Sequence, residues 1–134
     1  MKVLFYVAEL QSIEETKAKE EILSLWAEVN EVKIVGAVYE LNAENSLGTS
    51  GQGAIVDILQ QYEVDAVVVA SVKDLAANKA DVCVCVKEIR EMGADVISLA
   101  GDVPNCRDCM VEMMCEGKEP YRRAYHCTVK IFHE

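Results

Sequence analysis

The sequence predicts an α/β fold: a three-layer domain with a mostly parallel sheet of four or five strands flanked by helices. Three observations predict it. Several short runs are almost continuously apolar, as strands covered on both faces must be. These runs alternate with segments of about 10 to 18 residues whose apolar positions recur at helical spacing, the pattern of a sheet wrapped by crossover helices. The 134 residues, 51% hydrophobic and 27% charged with two prolines and seven glycines, fit one domain able to bury its own core.

Lys2 to Ala8 (KVLFYVA) is the first strand, nearly continuously apolar and rich in β-branched and aromatic residues. Ser12 with Glu15 forms an S-x-x-E capping box, and Ile13, Ile22, Leu25, Trp26 and Val29 mark a helix over about residues 12 to 29. Its Glu14, Glu15, Glu20, Glu21 and Glu28, interleaved with Lys17 and Lys19, read as a solvated face. Glu31 to Leu41 is the second strand. Asn42 to Gly53 is a long small-residue connection containing Ser46, Thr49 and Ser50, and a short helix follows through Ile55, Ile58, Leu59 and Tyr62.

Asp65 to Ser71 (DAVVVAS) has no polar alternation and is expected at the sheet centre. Leu75 to Met92 is the next helix, carrying Cys83 and Cys85 as packing residues, with Gly93 at the C-cap. Ala94 to Ala100 is the fourth strand, and Tyr125 to Phe132 alternates like a half-buried fifth. A single domain over residues 1–134 is expected, with an α/β core at 1–100 and a Cys- and Met-rich extension at 101–134.

Charge narrows the function. Thirteen basic against 23 acidic side chains give a net charge of −10, which repels a phosphate backbone. All four arginines, Arg90, Arg107, Arg122 and Arg123, lie in the last third. DNA binding by the chain alone is therefore not expected. No apolar run reaches the length of a membrane span, and no secretory signal core is visible, so a cytoplasmic protein with free thiols is expected.

The C-terminal cysteines offer the only metal-type spacing. Cys106-x-x-Cys109, with Cys115, Cys127, His126 and His133, could supply a structural zinc. One Cys-x-x-Cys is half a signature, however, and adjacent His126 and Cys127 point to opposite faces of a strand. Ordinary thiols are the simpler reading, a redox or intermolecular pair the third; no cofactor is otherwise expected. Glycines 48, 51 and 53 form no nucleotide loop.

The order of elements over residues 1 to about 100 resembles the catalytic domain of the serine recombinases, the resolvase and invertase group. Its first strand ends in Tyr-x-Arg-Val-Ser and a later strand runs into Leu-Asp-Arg-Leu-x-Arg. The corresponding stretches here are Tyr6-Val7-Ala8-Glu9-Leu10 and Val72-Lys73-Asp74-Leu75-Ala76-Ala77. In the family the serine attacks a DNA phosphodiester while arginines hold the phosphate. By this resemblance the nucleophile position holds Leu10, and three arginine positions hold Ala8, Asp74 and Ala77.

The resemblance therefore implies a resolvase-like domain without recombinase chemistry. Such a domain would contact protein, either an active recombinase or a second copy, dimerisation being a family trait. Two alternatives stay open: a working DNA recombinase or a subunit of one, and an α/β domain binding a small anion or metabolite. For the last, a pocket at the carboxyl ends of the strands would offer Tyr6, Glu9, Ser12, Ser71, Lys73 and Asp74, with Lys73 the only cation among them.

Overall fold

The computed structural model describes residues 1–8, 13–40, 52–75, 79–104 and 127–131, with the side chains of residues 40, 52–54 and 127–130 outside the description. Its elements run β1 (Lys2–Ala8), α1 (Ile13–Val29), β2 (Lys33–Glu40), α2 (Gln52–Gln61), β3 (Ala66–Val69), a 3-10 turn (Val72–Asp74), α3 (Lys79–Glu91), β4 (Asp95–Ser98) and β5 (Cys127–Ile131). The strands form one five-stranded sheet in the order β4-β3-β1-β2-β5. The first four are parallel, and β5 adds to β2 antiparallel at one edge. The expected α/β fold is the one observed, and the extension after residue 101 contributes its strand to the same sheet.

The chain steps from β1 to β2 in one direction, then returns past β1 to β3 and β4. Crossovers of one hand then place α1 on one face and α2 with α3 on the other. The two core layers follow this division. On β1, Leu4, Tyr6 and Ala8 face α2 and α3, joining Ile55, Ile58, Val82, Cys85, Val86 and Ile89. Val3, Phe5 and Val7 face α1, joining Leu23 and Ala27. A strand apolar at every position from Val3 to Ala8 is what two covered faces require.

One irregularity keeps β2 in this scheme. Val3 pairs with Ile34 but Leu4 with Gly36, so β2 bulges at Val35. Before the bulge Ile34 faces the α1 layer; after it Ala37 and Tyr39 do, while Val35 and Val38 face the other layer. Without the extra residue, period-two alternation would turn one half of the strand onto the wrong face.

Two differences from the sequence reading have simple causes. The third helix starts at Lys79 rather than Leu75, because Val72–Asp74 is wound as a 3-10 turn capped by Ser71. The apolar positions that predict α1 are also not those that bury it. Leu23 and Ala27 enter the core, whereas Ile13, Ile22, Leu25 and Val29 are exposed and Trp26 is half-buried. The layer beneath α1 includes the small Ala37 and Ala66, so a narrow ridge fills it. Cys83 and Cys85 are both fully buried in the core, as packing residues should be.

No described helix is long and apolar enough to cross a membrane.

Candidate functional site

The reversal in strand order lies between β1 and β3. There the chain leaving β1 turns toward α1, and the chain leaving β3 turns the opposite way. Such a switch point opens a crevice at the carboxyl ends of the strands. Three segments reach it among the described residues: the end of β1 at Ala8, the second turn of α1, and the stretch from Ser71 to Leu75.

The last of these is shaped by a cap. Ser71 is extended (φ −151°, ψ 151°) and its hydroxyl accepts from the Lys73 N–H at 3.3 Å. The Asp74 N–H donates to the Ser71 carbonyl at 3.0 Å, and Leu75, buried in the core, closes the turn by donating to the Val72 carbonyl at 3.0 Å. This winding swings the Asp74 carboxylate inward, where its side chain is only 3% exposed. Lys73, next to it, points to solvent.

Burying a carboxylate is costly unless a counter-ion accompanies it. Lys19 of α1 supplies one: its ammonium donates to Asp74 Oδ1 at 2.7 Å and to the Ala8 carbonyl at 3.1 Å. The same ammonium thus neutralises the carboxylate and satisfies a strand-end carbonyl. Its side chain is 17% exposed. Lys19 does not belong to the solvated face expected for α1, and Lys73 is not the sole cation of the crevice. The missed signal is positional: Lys19 precedes the buried Leu23 by one helical turn and so shares its side of the helix.

A second carboxylate ties the ends of β3 and β4 together. Asp102 accepts from the Ser71 hydroxyl at 2.7 Å, the Val72 N–H at 3.2 Å and the Ser98 hydroxyl. Burial, the largest single influence, pushes its carboxyl pKa up. The bonds from Ser98, Ser71 and Val72 together outweigh it and hold the pKa below the ordinary 3.8. The three donors favour the charged form of the carboxylate, so Asp102 acts here as a tie between the two strand ends.

The sign of that shift sets a pH dependence. The stabilisation is present above the unfolded pKa of Asp102 and is lost as pH falls through the lower folded value. Asp102→Asn is expected to lower stability at neutral pH by about 1 kcal/mol or less, since the residue is largely exposed. The difference from wild type should shrink below about pH 4, read from denaturant midpoints across pH. A difference that grows in acid would contradict this assignment.

On the α1 side of the sheet, the Tyr39 phenol has its pKa raised, first by burial and then by the charge and hydrogen bond of Glu20. Glu20, like Lys19, is therefore engaged with the sheet rather than only with solvent.

The remaining sequence-predicted residues divide clearly. Tyr6 is fully buried in the α2–α3 layer, together with Ala8. Ser71 and Asp74 meet at the crevice. Glu9, Leu10, Ser12 and Ala77 lie outside the described residues, as do Cys106, Cys109, Cys115, His126 and His133. Cys127 begins β5, its side chain outside the description. Among the described residues, no three His, Cys, Asp or Glu side chains are grouped to hold a metal.

No family model and no curated protein matches the sequence. Solved structures do match the fold. A resolvase family site-specific recombinase from Streptococcus pneumoniae superposes with a TM-score of 0.69 at 18% identity, covering 87% of this chain and 86% of that one. The C-terminal catalytic domain of ISC1926 TnpA, an IS607-like serine recombinase, gives 0.66 at 16% identity, covering 87% and 80%. The N-terminal catalytic domain of TP901-1 integrase gives 0.62 at 17% identity, covering 87% and 89%. Strand order, crossovers and these superpositions agree: the chain has the fold of a serine recombinase catalytic domain.

Proposed function

We propose that this chain is a non-catalytic serine-recombinase-like domain that works by contacting protein. The observation that carries the reading is the Lys19–Asp74 pair. By the motif resemblance, position 74 would hold a phosphate-binding arginine; here it holds a carboxylate, and the nearest cation is spent neutralising it inside the fold. Leu10 stands where the resemblance places the attacking hydroxyl and cannot act as a nucleophile. Ala8 and Ala77 stand at two further arginine positions, and the net charge of −10 opposes approach of DNA.

Phosphoryl transfer depends on cations placed where charge develops. An internally compensated ion pair offers a phosphodiester no net charge, and its carboxylate repels one. The same argument disfavours a small-anion site at this crevice.

The test uses the purified chain with supercoiled plasmid and with labelled duplex DNA. No nicking and no covalent protein–DNA adduct are expected, and no binding above background at physiological salt. Cleavage that Tyr6→Phe or Ser12→Ala abolishes would restore the recombinase reading. Salt-sensitive duplex binding would restore a DNA-bound subunit.

A further inference from the structure

Helix α1 carries a second apolar seam that its own fold does not use. Ala18, Ile22, Leu25 and Val29 follow one another at steps of four, three and four residues, the spacing of alternating coiled-coil core positions. All four are exposed, Ile22 at 52%, Leu25 at 62% and Val29 at 71%. The seam alternates in kind as well. Ile22 and Val29, both β-branched, occupy one core position and Leu25 the other, the distribution that suits pairing of two helices.

Leu23 and Ala27 anchor the opposite side of the helix in the core, so the seam is free to face outward without loosening α1. Single exposed apolar side chains are ordinary, but a row at coiled-coil spacing marks a contact surface.

The flank indicates what lies against it. Glu14, Glu21 and Glu28 recur every seven residues along one side of the seam, and all are exposed. On the other side the equivalent positions are Lys19, already bonded to Asp74 and Ala8, and the half-buried Trp26.

A second copy of α1 fits this poorly. Antiparallel pairing sets glutamate flank against glutamate flank, and parallel pairing sets it against Lys19 and Trp26, which offer no available cation. The chain's net charge of −10 adds repulsion between copies. An anionic bilayer surface is disfavoured by the same glutamates.

We propose that α1 docks a single α-helix of a different protein, apolar along its own seam and bearing Lys or Arg on the flank that meets Glu14, Glu21 and Glu28. The inference deepens the protein-contact reading by giving the partner's chemistry. It is scored by peptide binding rather than DNA cleavage, so each can fail without the other.

The experiment uses the full chain and two synthetic three-heptad peptides with Ile and Leu at the core positions, one with Lys and the other with Glu at every flanking position. Trp26, the only tryptophan in the chain, reports binding from the seam's edge by its fluorescence. The Lys peptide is expected to bind and shift Trp26 emission to the blue, with affinity falling about tenfold from low to high salt. The Glu peptide should not bind. Leu25→Glu, and the milder Ile22→Ser, should weaken binding at least about tenfold with little change in melting temperature, because both side chains are exposed. The double substitution Glu21→Lys with Glu28→Lys should reverse the preference between peptides.

Absence of Lys-peptide binding overturns the proposal, as does equal binding of both peptides. So does binding that survives Leu25→Glu. A concentration-dependent dimer of the chain that Leu25→Glu dissolves would assign the seam to a second copy instead.

Discussion

Lys19→Met is expected to destabilise the protein by about 3–5 kcal/mol, the cost of depriving a buried carboxylate of its counter-ion. The Asp74 side chain is 3% exposed, so water cannot take over from the ammonium without the turn at Val72–Asp74 opening. The Ala8 carbonyl loses a donor in the same substitution. Replacing both charges, as in Lys19→Met with Asp74→Leu, should recover most of the loss, because an apolar pair of similar volume avoids the desolvation of two ions. Urea unfolding of the two single variants and the double variant measures this as a cycle. A Lys19→Met midpoint equal to wild type would mean that the pair is a surface contact, and the reading of a self-neutralised crevice would fall with it.

The second large effect is expected from two leucines that lie two residues apart. Leu23→Ala should cost about 2–4 kcal/mol, since Leu23 is fully buried among Val3, Phe5, Val7, Ala37 and Val68 and its removal leaves a cavity. Leu25→Ala should change stability by no more than about 0.5 kcal/mol, since its side chain touches water more than core. Denaturant midpoints of the two variants separate the cases. Comparable losses would show that the helix is rotated from the orientation described.

How far the sequence discloses this molecule depends on how local each cause is. β1 is legible to the residue because both of its faces are covered, so every position from Val3 to Ala8 is apolar. The end of α3 was legible because Gly93 takes the positive φ of 93° that closes a helix. The expected end of α1 at residue 29 agrees with the structure, but the turn after it carries no such mark: Glu31 adopts a φ of 53° there, in a conformation the residue type does not advertise, and β2 starts at Lys33 rather than Glu31. The bulge at Val35 likewise leaves no mark in composition.

The orientation of α1 was hidden for a different reason. The helix has two apolar stripes, and the more conspicuous one faces away from the sheet. Within the candidate site, Asp74 is visible as a departure from a motif, and Ser71 as a polar group at the carboxyl end of a strand. Lys19 was not, because its partner is 55 residues away and only the crossing of α1 over the strand ends brings them together. Asp102 was missed likewise: its three donors lie on two segments that meet only when β4 pairs with β3.

The place of β5 bears on how the chain is made. Four strands, β1 to β4, are complete once Ser98 has been synthesised, but among the described residues the strand that pairs with the outer backbone of β2 is Cys127–Ile131. At about 5–20 residues per second, a nascent chain spends roughly two to seven seconds between those points. Through that interval the edge from Lys33 to Glu40 presents unpaired amides and carbonyls to whatever else is emerging nearby. Among the described strands, the β2 edge therefore stays open to cotranslational mispairing until β5 pairs with it, after which β4 and β5 form the two edges of the sheet.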